Sequence, residues 1–180
     1  MNTLLIEPEP ATSPVASHPV PLRLLNTSEP CARILYVDDD PQIRRLGELV
    51  LARSGYEVDT ATDGARGWEA LQHGHYNLLI TDNDMPRMTG LELASQARLA
   101  GMRLPIVLTS GSADALHDPS AESLGLAARL SKPFSLDGLL KTVEQALHDA
   151  NDLSECYGAM ISALTQCAQI QPYPHGGINE

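Results

Sequence analysis

The chain has 180 residues, 43% of them hydrophobic, and a formal net charge of −11 at neutral pH. That length supports one domain with room for tails, and a single Phe and a single Trp make its core aliphatic. The acidity, with no Lys/Arg block and no basic amphipathic stretch, argues against nucleic acid and anionic membranes as partners.

No apolar run approaches a bilayer span, and no basic segment leads into an apolar one at the start, so the expected compartment is the cytoplasm. Cys31, Cys156 and Cys167 are odd in number and lack CxxC spacing. That is the pattern of reduced thiols rather than of a disulfide framework or zinc site. Residues 1–31 contain Pro8, Pro10, Pro14, Pro19, Pro21 and Pro30, which neither a helix nor a central strand tolerates. A disordered lead-in is expected there.

Arg33 to Val37 reads as a first strand. Asp40 is placed to cap the next helix, Pro41 suits its first turn, and Ile43, Leu46, Leu49 and Val50 give its apolar face, up to Gly55. Tyr56 to Ala61 is a weaker second strand. Asp63 starts a helix through Trp68 and Leu71 that ends near Gly74, and Leu78 to Thr81 is the third strand. Thr89-Gly90-Leu91-Glu92 has capping-box spacing and opens a helix through Leu93, Ala94, Ala97 and Leu99 to Gly101. Pro105 to Thr109 is the fourth strand. Asp118-Pro119 looks like a helix start, so a long loop followed by a short helix near 119–124 is expected. Ala127 to Leu130 is a short, poorly β-prone fifth strand. Ser135 caps a last helix carrying Leu136, Leu139, Leu140, Val143 and Leu147.

Short apolar strands alternating with helices predict βαβ units and a parallel sheet covered on both faces, in a domain over 32–150. Beyond it, Leu139, Val143, Ala146, Ala150, Leu153, Tyr157, Met160, Leu164 and Cys167 follow one another in steps of 4 and 3, a heptad-like seam weakened at Gly158. Two readings of 151–180 stand: a C-terminal helix packed on its own domain, or a prolonged last helix used for self-association as a homodimer. Residues 171–180, with two Pro and two Gly, should be loose.

Three strand ends carry the chemistry. The first strand runs into Asp38-Asp39-Asp40, the third into Asp82-Asn83-Asp84-Met85-Pro86, and the fifth into Ser131-Lys132-Pro133. In an open parallel sheet, ligands collect at the carboxyl ends of the strands. Taken singly, an Asp after a strand is a helix cap, a Lys before Pro is a solvated side chain, and Ser110 beside Gly111 is turn chemistry. Gathered at successive strand ends they form a site. Mg²⁺ prefers an octahedron of oxygens, often one or two carboxylates plus phosphate and water. Asp39 and Asp82 can supply those carboxylates, and Asp38 is placed to hold a metal-bound water. Lys132 adds a positive charge and Ser110 a hydroxyl donor, with Asp82 as in-line nucleophile in phosphoryl transfer.

These four stretches, Ile34 to Pro41, Asp82 to Gly90, Pro105 to Ser110 and Lys132-Pro133-Phe134, resemble the receiver domains of two-component response regulators, of the chemotaxis-like single-domain type. The resemblance covers about 32–150. It implies a doubly wound five-stranded parallel sheet of order 2-1-3-4-5, flavodoxin-like, and a phosphoacceptor rather than a turnover enzyme. Asp82 matches the phosphoacceptor, Asp38 and Asp39 the acidic pair, Ser110 the switch hydroxyl and Lys132 the phosphoryl-binding lysine. The backbone carbonyl of Asp84 matches a further Mg²⁺ ligand. The implied partners are a histidine kinase or histidine phosphotransfer protein and a downstream protein. The thirty residues from Asn151 are too few for an output domain, so output is expected through protein contact or phosphate relay.

The chain departs from the family pattern at Arg129, where an aromatic is usual, and around Pro119. Asp84, two residues past Asp82, is expected to meet the water that attacks the phosphoryl group and so to alter autodephosphorylation. Two other readings compete. One is a receiver-like interaction module that is never phosphorylated. The other is a haloacid-dehalogenase-type phosphatase, suggested by Asp82-Asn83-Asp84. Against the second, Pro86 stands where that family expects Thr or Val, and Asp38-Asp39 precede the lysine instead of following it.

Overall fold

The structure, a computed structural model, describes residues 32–112 and 118–168. The Pro-rich lead-in, the last residues of the tail, and most of the loop expected between the fourth strand and Pro119 lie outside the described residues.

In chain order the elements are β1 (Arg33–Val37), α1 (Pro41–Arg53), β2 (Glu57–Ala61), α2 (Gly64–His73) and β3 (Leu78–Asp82). They continue with α3 (Gly90–Leu99), β4 (Ile106–Ser110), α4 (Pro119–Ser123), β5 (Ala128–Ser131) and α5 (Leu136–Ala168). The strands form one sheet of order β2-β1-β3-β4-β5, parallel throughout. This is the flavodoxin-like receiver architecture that the resemblance implied.

Side-chain alternation explains why the central strands are apolar at almost every position. Ile34, Tyr36, Leu78, Ile80 and Val107 pack with Leu51 of α1 and with Leu139, Val143 and Ala146 of α5. Leu35, Val37, Leu79 and Ile106 point the other way, onto Leu71 of α2 and Leu93, Ala94 and Ala97 of α3. Each central strand is therefore buried on both faces, and period-2 amphipathicity survives only at the sheet edges, as in β5.

The helix starts follow the caps expected from sequence. Asp40 accepts from Gln42 N–H at 2.7 Å, and Asp63 accepts from Arg66 N–H at 3.0 Å. Thr89 and Glu92 make a reciprocal capping box. Ser135 Oγ accepts from Gly138 N–H at 3.0 Å. Helix α4 begins at Pro119, where the chain signalled a start. Strand β5 is shifted one residue towards the C-terminus, because its pairing with β4 extends to Ser110 opposite Ser131.

Helix α5 is the main difference from the packed-tail reading. It runs unbroken for 33 residues, through Gly158. Its first turns cover the sheet, but Leu153, Met160 and Ile161 are 61%, 52% and 60% exposed. One Gly costs a helix only about 1 kcal/mol, too little to stop it between good helix formers.

Candidate functional site

Parallel register assembles the site. Val37 lies opposite Thr81 in the β1–β3 ladder, so the next residues, Asp38 and Asp82, emerge side by side. Asp82 in turn pairs with Thr109, and Ser110 with Ser131, which brings Ser110 and Lys132 to the same edge. The chain order reverses across β1, the switch point where doubly wound sheets open a crevice.

Lys132 Nζ donates to Asp38 Oδ2 at 2.9 Å and lies 2.9 Å from Asp82 Oδ2. All three side chains are enclosed, at 18%, 1% and 4% exposure for Lys132, Asp38 and Asp82. Asp38 Oδ1 also accepts from Asp40 N–H at 2.9 Å. Burial pushes the Asp38 carboxyl above its ordinary range, against the pull of Lys132. Burial alone would lower the Lys132 ammonium, but its bonds to Asp38 and Asp82 outweigh that and hold it above the ordinary lysine value.

Carboxylate oxygens of Asp38, Asp39 and Asp82 lie within 4.8 Å of one another. Three carboxylates face one ammonium, which leaves two negative charges uncompensated. Asp82 Oδ1 is buried and has no hydrogen-bond partner among the described residues, a situation that normally signals a missing ligand. Hard oxygen donors, an orphan carboxylate oxygen and this charge deficit fit Mg²⁺.

Ser110 and Asp84 meet in a way the sequence did not signal. Ser110 Oγ donates to Asp84 Oδ2 at 2.9 Å, and Gly111 N–H donates to the same oxygen at 3.0 Å. The Asp84 carboxylate, expected to face an attacking water, is engaged with the end of β4 instead. Arg129 is exposed on β5, as suits a guanidinium that would have to shed water to bury itself.

A second pair was also illegible. Arg87, in the loop after Asp82, has a left-handed backbone (φ 71°) and pairs with Asp63, which is 1% exposed. Burial alone would raise the Asp63 carboxyl. The Arg66 N–H, the Thr62 hydroxyl and Arg87 hold it below its usual range. Asp63 thus caps α2 and also tethers the loop that leaves the site. The sequence announced only the cap.

A family model for the response regulator receiver domain matches residues 34–144. The chain belongs to that family. The receiver protein CpdR of Brucella abortus is 37% identical over 115 residues, 64% of this chain and 96% of CpdR. The sensor protein EvgS of Escherichia coli is 39% identical over 124 residues, 69% of this chain but only 10% of EvgS. The receiver match therefore spans nearly all of one relative and a small part of another. Among solved structures, the chemotaxis response regulator CheY4 of Vibrio cholerae aligns with TM-score 0.61 at 31% identity, over 64% of this chain and 98% of that one. TrrA of Thermotoga maritima, solved in complex with Mg²⁺–BeF, aligns with TM-score 0.60 at 34% identity, over 64% and 98%. No helix among the described residues of this receiver is long and apolar enough to cross a membrane.

Proposed function

We propose that this receiver is a single-domain response regulator in which Asp82 accepts a phosphoryl group from a histidine kinase or histidine phosphotransfer protein. The observation that carries the reading is the convergence of Asp38 and Asp82 on Lys132 Nζ, each at 2.9 Å. A carboxylate oxygen of Asp82 attacks the phosphorus of a phosphohistidine. The O–P bond forms as the P–N bond breaks, and the electron pair leaves with the imidazole nitrogen. Lys132 balances charge on the acceptor and on the incoming oxygens. Asp38, Asp39, Asp82 and the backbone carbonyl of Asp84 would hold Mg²⁺, which when bound neutralises charge on the phosphoryl oxygens. Ser110 is the hydroxyl that answers phosphorylation and changes which downstream protein binds. The protein works in the cytoplasm as a phosphoacceptor, with no turnover of an outside substrate beyond its own phosphotransfer and dephosphorylation.

The test is labelling with a small phosphodonor in Mg²⁺. The wild-type chain should gain one phosphoryl group that base or hydroxylamine removes, as from an acyl phosphate, and Asp82→Asn none. Labelling of neither leaves the interaction-module reading in its place, and equal labelling of both assigns the acceptor to a residue other than Asp82. Steady release of phosphate from phosphomonoesters would favour the phosphatase reading. The Asp84 contacts speak against that one, because an acid/base aspartate would need its carboxylate free.

The partner surface includes a second copy of the chain. Helix α5 continues beyond residue 150 for about 27 Å, with Leu153 and Met160 exposed on the 4-3 seam. An isolated helix of that length is marginal in water, and heptad spacing fits a partner helix of the same kind. Sedimentation should give a dimer for the full chain and a monomer once 151–180 are removed. A monomeric full chain excludes the dimer.

A further inference from the structure

The Asp84 carboxylate ties together two loops that leave neighbouring strands. Its Oδ2 receives the Ser110 hydroxyl at 2.9 Å and the Gly111 N–H at 3.0 Å. Ser110 is fully buried at the end of β4 and accepts from Ser112 N–H at 3.0 Å, with the Ser112 carbonyl as a longer alternative acceptor at 3.2 Å. A serine hydroxyl has one proton to give. The ionised carboxylate is the shorter and stronger acceptor, so that proton belongs to Asp84 in the structure described.

We infer that Asp84 is a positioning residue acting through Ser110. Its carboxylate competes with a phosphoryl group on Asp82 for the Ser110 hydroxyl, and thereby opposes the switched state. The inference rests on the reading of Asp82 as phosphoacceptor. Phosphorylation sets a second anion beside the first, and the hydroxyl proton can satisfy only one of them. The balance between the two states then follows the difference between two charge-assisted hydrogen bonds. The Gly111 N–H strengthens the unswitched side, because it stabilises the same Asp84 oxygen that holds the Ser110 hydroxyl. A residue with no acceptor at position 84 releases both donors.

The test follows decay of aspartyl phosphate on the full chain, labelled with acetyl phosphate in Mg²⁺, across a double-mutant cycle. Asp84→Ala should lengthen the lifetime roughly tenfold, the factor that one charge-assisted hydrogen bond carries. In a Ser110→Ala background the same substitution should lengthen it far less, through the Gly111 amide alone. Asp84→Asn, which keeps an acceptor without the charge, should fall between wild type and Asp84→Ala. Hydrogen exchange at the Gly111 amide should quicken in unphosphorylated Asp84→Ala. Equal gains in both backgrounds would assign Asp84 to the attacking water and overturn the inference, as would no gain in either. A wild-type chain that takes no label overturns the phosphoacceptor reading itself. Labelling without coupling between positions 84 and 110 overturns only the competition.

Discussion

Lys132→Ala should leave a folded chain that is about 3 kcal/mol less stable in the absence of divalent cation, within the range measured when one partner of a buried ion pair is deleted. The reason lies in what stays behind. Asp38 and Asp82, at 1% and 4% exposure, would keep two carboxylates in the crevice with their shared ammonium gone. Asp38 is already pushed upward by burial, and Lys132 is what opposes that push. In the variant its folded pKa rises further above the unfolded value of about 3.9. Across that window the folded state binds more protons than the unfolded one, so stability falls as pH rises through it. The defect should be small near about pH 4, below the raised folded pKa, and largest near about pH 7.5. Mg²⁺ should rescue the variant more than the wild type, because the variant's carboxylates have no competing cation. Phosphoryl uptake should drop by about 10²–10³-fold, the usual loss when one preorganised electrostatic contact is removed. Denaturant titrations at the two pH values, with and without Mg²⁺, read all of this except uptake. A variant as stable as wild type at neutral pH without Mg²⁺ would mean that Lys132 does not neutralise the pair.

The parts of this site that were legible in the sequence are those fixed by backbone position. Asp38, Asp82, Ser110 and Lys132 each follow or end a strand, and a parallel sheet must bring such ends to one edge. The caps at Asp40, Asp63, Thr89 and Ser135 were equally legible, since a cap is a local contact within three residues. The Asp84–Ser110 bond spans 26 residues and the Asp63–Arg87 pair 24. Both depend on where two loops come to rest, and no periodicity encodes that. For helix α5 the sequence left two readings open, packed tail or prolonged helix, for a different reason. The seam of 4-3 steps was visible, but whether a seam turns inward or outward depends on where the sheet ends beneath it. Leu139 and Val143 are fully buried, while Leu153 on the same seam is exposed.

Gly90→Ala should weaken both the fold and the chemistry, although residue 90 carries no functional group. A Cβ at this position would lie 2.5 Å from the backbone oxygen of Asp82 and 2.9 Å from Leu108 Cδ1. The leucine can turn aside, but a carbonyl at the end of a central strand cannot. Either the start of α3 lifts away, loosening the Thr89–Glu92 capping box, or the end of β3 moves. Overpacking of this kind costs about 1–3 kcal/mol, occasionally more. Because the displaced carbonyl belongs to the acceptor residue, the strain falls on Asp82 first. A misplacement of about 1 Å at a reacting group can cost 10²-fold in rate, so uptake should fall by about that factor at temperatures where the variant is still folded. Gly158→Ala is the control. A Cβ there has no neighbour within 4 Å among the described residues, and the change should stabilise helix α5 by up to about 1 kcal/mol with uptake unaltered. If Gly90→Ala is destabilised but labels at the wild-type rate, α3 has yielded and β3 has not. The geometry of Asp82 would then be set by its strand and by Lys132, without help from the close approach of the helix.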